Sequence, residues 1–117
     1  MAEAHERLEA ARTLLERSLL GAAVSDAYYA MLYAARAALS EHDRSAKTHS
    51  GTWNLFHESL VADGSFDSDL AREARATQEP REGVDYAAAR VSPDEAERIV
   101  KVAERFVAAV SSLIAPS

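Results

Sequence analysis

The sequence predicts an all-α domain, a five-helix up-and-down bundle, on three observations. Alanine is very frequent, while glycine and proline number only four and three, which favours helix over strand. Apolar residues recur at spacings of three and four along most of the chain, the period of a helix with one buried face. No stretch alternates apolar and polar residues as a strand does, and no internal repeat or low-complexity linker breaks the pattern.

The first helix carries Ala4, Leu8, Ala11, Leu15 and Leu19 on one stripe, with Glu3, Glu6, Arg7 and Arg12 on other faces, and Gly21 is expected to break it. The second runs from about Val24 to Glu41 and is apolar nearly all round, from Ala27, Tyr28 and Tyr29 through Met31, Leu32 and Tyr33 to Ala35. A helix with no polar face must be buried on more than one side. It is therefore expected to leave a patch that only a second subunit covers, and so to form a two-fold homodimer of twice the 12.7 kDa chain.

A polar loop, His42 to Thr48, leads to a third, shorter helix that starts near Ser50, places Trp53, Phe56 and Leu60 on one stripe, and ends at Gly64. The fourth starts around Asp67 to Asp69, where carboxylates suit the positive end of the helix dipole. Pro80 must interrupt it, because proline removes an amide donor and clashes with the preceding turn, and Gly83 weakens the same place. The fifth has the clearest start: Ser92 as N-cap, Pro93 at the first helical position and Glu95 completing a capping box. Ala96, Ile99, Val100, Ala103, Phe106, Val107, Val110 and Ile114 then form a continuous apolar stripe, with Phe106 expected in the core.

At 117 residues the chain is long enough for one core and too short for two, so residues 1–117 are expected to form a single domain. Cysteine is absent, which excludes a disulfide framework, a thiol nucleophile and a thiolate metal site, and fits a reducing cytoplasm. The N-terminal stretch is charged from its third residue, unlike a signal peptide, and no apolar run approaches the roughly 20 residues that span a bilayer. A cytoplasmic protein with no membrane association is expected. Thirteen basic against nineteen acidic residues give a net charge of −6, the wrong sign for gripping nucleic acid by long-range attraction. The stretch from Met31 to Ser59 is the exception: its charges balance and it holds His42, His49 and His57, so an anionic ligand is expected there.

Ser25-Asp26-Ala27-Tyr28-Tyr29-Ala30-Met31 on the second helix, Lys47-Thr48-His49-Ser50-Gly51 opening the third, then Phe56, then Arg81, Asp85 and Tyr86, then a Ser92-capped helix with Ala103, Phe106 and Val107, follow a family order. The chain resembles the HEPN family (higher eukaryotes and prokaryotes nucleotide-binding) over nearly its whole length. The similarity is greatest to the small stand-alone prokaryotic members often found beside a minimal nucleotidyltransferase. The resemblance implies a bundle of four or five helices, usually paired as a symmetric dimer. It also implies a toxin or defence role, in many members as a metal-independent ribonuclease that needs no cofactor. The active site it implies is an arginine separated from a histidine by a few residues, with two copies in the dimer cleft. Histidine can exchange a proton with a ribose 2′-hydroxyl near neutral pH, and arginine can stabilise charge developing on the phosphate oxygens.

Arg44 and His49 fit that spacing, with His49 at the family's Lys-x-His position, and they are the candidate catalytic pair. Arg36 and His42 fit as well, and composition alone predicts about one chance match. Ser45 and Gly51 stand where active members commonly carry asparagine and tyrosine, and Arg44 is expected in the loop ahead of the third helix. Lys47 and the amides of Ser50, Gly51 and Thr52 are candidates for holding a phosphate at that helix's start. Each residue also has a plainer role: His49 as a helix cap, Lys47 as a solvated charge, Tyr28, Tyr29 and Tyr33 as core and dimer packing, Asp85 and Tyr86 as a hydrogen bond closing the fourth helix, His5 as a surface residue. His49 and His57 lack the further ligands that zinc requires. Three functions follow: a ribonuclease toxin acting on RNA, an inactive subunit that binds a nucleotidyltransferase partner protein, and a structural dimer whose cleft binds a nucleotide or nothing.

Overall fold

The nearly all-apolar segment becomes the axis of the bundle. The computed structural model describes residues 1–78 and 91–114; among them five α-helices and no strand occur. The helices are α1 (Ala2–Glu16), α2 (Leu20–Ser40), α3 (His49–Phe56), α4 (Ser68–Ala76) and α5 (Pro93–Ile114), and a π-helical turn, His57–Val61, continues α3 without a break. α2 packs against α1, α5 and α3, while α4 packs on α5. Its buried positions, from Ala23, Val24 and Ala27 through Tyr28, Met31 and Leu32 to Ala38 and Leu39, cover a broad arc of the helix and leave the stripe of Asp26, Tyr29, Tyr33, Arg36 and Ala37 half-buried. Fully buried alanines on the neighbours, Ala4 and Ala11 of α1 and Ala96 and Ala103 of α5, let these helices come close.

The expected patch is smaller than a helix apolar all round implies: α1, α3 and α5 of the same chain cover most of α2, and what it leaves at the surface is the half-buried stripe of Tyr29, Tyr33 and Ala37. Among the described residues the large apolar side chains that remain well exposed are Leu19 (50%) and Leu113 (39%), neither of them within α2.

The junction of α1 and α2 differs from expectation, with α1 ending at Glu16 and α2 starting at Leu20 rather than near Val24. α1 stops before Gly21: Ser18 takes the left-handed conformation (φ 59°), Ser18 N donates to Leu15 O (3.0 Å) and Leu19 N to Leu14 O (2.9 Å), a Schellman closure. Gly21 falls in the first turn of α2, and Leu19 leaves the α1 stripe for solvent. α2 ends in the same way, with Asp43 at φ 55°, Asp43 N donating to Ser40 O (3.0 Å) and Arg44 N to Leu39 O (2.9 Å).

Thr48, in extended conformation, caps α3 by accepting from Gly51 N (2.9 Å), so the helix begins at His49 rather than Ser50. Trp53, Phe56 and Leu60 are buried, as the stripe predicts. The π turn is closed by Ala62 N donating to His57 O (2.8 Å), and Gly64 (φ 84°) ends the segment. Asp67 caps α4 through Asp69 N (2.9 Å), and α4 stops at Ala76; Pro80 and Gly83 lie outside the described residues. Ser92 caps α5 through Glu95 N (3.1 Å), and its stripe is buried from Ala96 to Val110, with Ile114 half-buried. Phe106 is fully buried, with its ring 5.1 Å from Phe66, 5.5 Å from Phe56 and 5.7 Å from Trp53. Among the described residues no helix is long and apolar enough to cross a membrane.

Candidate functional site around His49

His49 and Trp53 stand four residues apart on α3, so both side chains reach the same point on α2. That point is the hydroxyl of Tyr28, whose side chain is fully buried. Trp53 Nε1 donates to Tyr28 Oη (3.2 Å), since an indole N–H can only donate. Tyr28 Oη in turn lies 3.3 Å from His49 Nδ1, a hydrogen bond whose direction depends on the imidazole tautomer. The bond fixes the ring's orientation and turns its Nε2 edge away from Tyr28, while the residue stays half-buried. The His49 ring also meets the edge of Tyr29 at 5.9 Å between centroids.

Tyr29 and Tyr33 are half-buried, not core residues like Tyr28. The Arg7 guanidinium of α1 lies 5.7 Å from the Tyr29 ring centroid and 5.8 Å from that of Tyr33, in cation–π contact with both. Asp26 holds Arg7 with a 2.9 Å ion pair. That hydrogen bond, opposed by burial, raises the Arg7 pKa above the ordinary guanidinium value.

The candidate pair is not joined. Arg44 is exposed in the loop, as expected, and its Nη1 donates to Ser59 Oγ (3.3 Å) on the π turn; no hydrogen bond links it to His49. Arg36 and His42 are not joined either. Arg36 Nε instead donates to Thr52 Oγ1 (3.4 Å), and His42 is exposed at the end of α2. Thr52 is fully buried and stands one turn beyond His49, so Arg36 is the arginine that reaches α3 beside the histidine.

The helix start is Thr48's work. His49 does not cap α3, and two of the three amides considered for an anion are taken: Gly51 N by Thr48 Oγ1 (2.9 Å) and Thr52 N by Thr48 O (3.0 Å). Ser50 N remains, with Lys47 exposed just ahead of the cap. Gly51 is required by this cap, because a Cβ there would meet Thr48 Oγ1 at 2.7 Å. His5 is exposed and its Nε2 contacts Ser111 Oγ at 3.1 Å. Arg81, Asp85 and Tyr86 lie outside the described residues. No group of three acidic or histidine side chains suited to a metal ion occurs among the described residues. Sequence reasoning assigned no site role to Arg7, Asp26 or the indole of Trp53; Asp26 stood in the Ser25–Met31 segment, and Trp53 had its four-residue spacing from His49.

Comparison with known proteins places this geometry in context. The HEPN domain model matches residues 1–113. A UPF0332 protein of Gloeobacter violaceus is 36% identical over 109 residues, spanning 92% of this chain and 86% of that protein. A UPF0332 protein of Archaeoglobus fulgidus is 39% identical, over 90% of this chain and 84% of its own length. A Methanocaldococcus jannaschii protein, named as a candidate toxin, is 34% identical over 89% of this chain and 78% of its own length.

Proposed function

The chain belongs to the HEPN family, and from that premise we propose that it is a toxin or defence protein acting as a metal-independent endoribonuclease at His49. The observation that carries this reading is the half-buried His49 ring, anchored through Nδ1 on a buried tyrosine that is itself held by Trp53. An anchored imidazole keeps one nitrogen edge in place for proton transfer near neutral pH. In the proposed reaction the 2′-oxygen of a ribose attacks the adjacent phosphorus and loses its proton. The bond from phosphorus to the 5′-oxygen breaks, and that oxygen takes up a proton. The products are a 2′,3′-cyclic phosphate and a 5′-hydroxyl, and His49 handles a proton in one of these transfers. Arg44 swings from its single bond to Ser59 to stabilise charge on the phosphate oxygens, in a cleft that two subunits share. The relative named as a candidate toxin supports the biological role.

The test uses labelled single-stranded RNA in EDTA. Wild-type protein should leave cyclic phosphate ends; His49→Ala should lower the rate about 10²–10⁴-fold and Arg44→Ala about 10²–10³-fold. Full activity in His49→Ala would remove His49 from the chemistry.

A second reading is a catalytically inactive subunit that binds a nucleotidyltransferase partner. It is favoured by Arg44 bonding Ser59 rather than standing at His49, and by the net charge of −6. Stable complex formation with such a partner, with no RNA cleavage by the wild type, would select it.

A further inference from the structure

Among the described residues Arg36 is a half-buried cation with no counterion: its guanidinium makes the Nε bond to Thr52 Oγ1, and no described carboxylate lies within ion-pair distance. Charged groups withdrawn from water are ordinarily paired, because the desolvation they suffer is otherwise uncompensated. Arg7, Arg12, Arg72 and Arg105 all hold a carboxylate, though each is more exposed than Arg36, and the other described arginines without one, Arg17, Arg44, Arg75 and Arg98, are exposed to water. What Arg36 faces instead is open space: a groove of about 430 Å³ between the start of α1 and α2, lined by Met1, Ala2, Glu3, Tyr33, Arg36 and Ala37 among others.

The helix stripe that lines the groove leads back toward the His49 site. Tyr29, Tyr33 and Arg36 follow one another at intervals of four and three residues, and so share one stripe of α2. One end of this stripe meets α3 at His49, through the Tyr29 ring; the other meets it at Thr52, through Arg36. His49 and Thr52 are three residues apart, roughly 5 Å along the helix axis. A chain lying along the stripe thus passes an imidazole, an aromatic ring and a guanidinium within two helical turns.

Resting on the ribonuclease reading, we propose that this groove is a substrate subsite. Arg36 binds the backbone phosphate of a nucleotide flanking the cleaved bond, and Tyr33 lies against its base or ribose. The Nε bond to Thr52 leaves both terminal nitrogens for the two phosphate oxygens, the bidentate geometry that guanidinium favours. Tyr33 supplies the sequence-tolerant aromatic contact common in single-strand binding sites. Glu3 lines the same groove and opposes an anion, so it lowers the affinity of this site.

The test is binding of a short 2′-O-methyl oligonucleotide, which cannot be cleaved, followed by fluorescence anisotropy at several salt concentrations. Arg36→Gln should weaken binding about tenfold or more and reduce the log–log salt slope by about 0.7, one phosphate contact on a single strand. Arg36→Lys should keep the salt slope, and Tyr33→Leu should weaken binding while leaving the slope unchanged. Glu3→Gln, on the exposed first turn of α1, should tighten it; this variant decides the matter even if an Arg36 variant fails to fold. Unchanged affinity and slope in a folded Arg36→Gln, a Glu3→Gln variant that binds no tighter, or a wild type that does not bind would each overturn the proposal. If cleavage depends on His49 while Arg36→Gln binds as the wild type does, the subsite falls alone. If binding depends on Arg36 while His49→Ala still cleaves, the catalytic reading falls and the groove stands as a nucleic-acid site.

Discussion

Replacing Tyr28 with phenylalanine removes one oxygen from the middle of the Trp53–Tyr28–His49 chain and little else. The ring keeps its place, since Tyr28 is fully buried and a phenyl group fills the same volume less the hydroxyl. The loss falls on Trp53, which is 2% exposed and donates its indole N–H to that oxygen. A buried donor left without an acceptor costs about 1–3 kcal/mol. Against a typical stability of about 5–15 kcal/mol the fold should survive. Urea denaturation should show a lower midpoint at unchanged slope, the signature of altered stability without altered compactness. Trp53→Phe deletes the donor, so the double variant Tyr28→Phe/Trp53→Phe should be less destabilised than the sum of the singles, with a coupling of about 0.5–3 kcal/mol. Tyr28→Phe also removes the contact at His49 Nδ1, so RNA cleavage should fall through kcat with KM nearly constant. An unchanged urea midpoint, or strictly additive single effects, would refute the idea that this hydroxyl holds the indole.

Three further outcomes follow from the same geometry. Phe106→Ala should cost about 3–5 kcal/mol, because the ring is fully buried among Trp53, Phe56 and Phe66; a thermal shift of only a degree or two would contradict that packing. Glycine to alanine within a helix ordinarily gains up to about 1 kcal/mol, but at Gly51 the new Cβ displaces the Thr48 cap, itself worth about 1 kcal/mol, so the gain should vanish. In a Thr48→Ala background the gain from Gly51→Ala should return, and calorimetry on the four proteins checks the reversal.

Most of the fold was legible because local signals and burial agreed. α5 shows this best: Ser92, Pro93 and Glu95 mark its start, and the apolar stripe from Ala96 to Val110 is the buried face. The end of α1 was harder to place because a left-handed closing residue is ordinarily sought as glycine, and here Ser18 takes that conformation, so α2 starts at Leu20 rather than near Val24. The apolar pattern of α2 points to burial on every face, whereas the stripe of Tyr29, Tyr33 and Ala37 is only half-buried. The surroundings of the candidate His49 were legible to a lesser depth, since the four-residue step to Trp53 was there to be read. The partner of Arg44 was not, because a π turn changes the register that brings Ser59 to the loop. Nor was Arg36 against Thr52, a contact between helices that no spacing along the chain encodes.

Closure of the core within one chain also changes what pairing would mean for this protein. Had the apolar faces of α2 awaited a second copy, the monomer could not have persisted in water, and folding and association would have been one event. Since α1, α3 and α5 cover most of α2, a two-fold partner meets a surface whose large exposed apolar side chains, among the described residues, are Leu19 and Leu113. A cleft shared at His49 would then be built from half-buried tyrosines, arginines and hydroxyls, an interface held by hydrogen bonds and shape and sensitive to salt. Its subunits should separate as folded domains. Light scattering should accordingly give twice the 12.7 kDa chain mass at micromolar concentration in low salt and a falling mass as salt rises. The melting temperature should change little over a hundredfold range of protein concentration. A melting temperature that climbs steeply with concentration would show instead that folding requires the partner, and that the single-chain core does not stand alone.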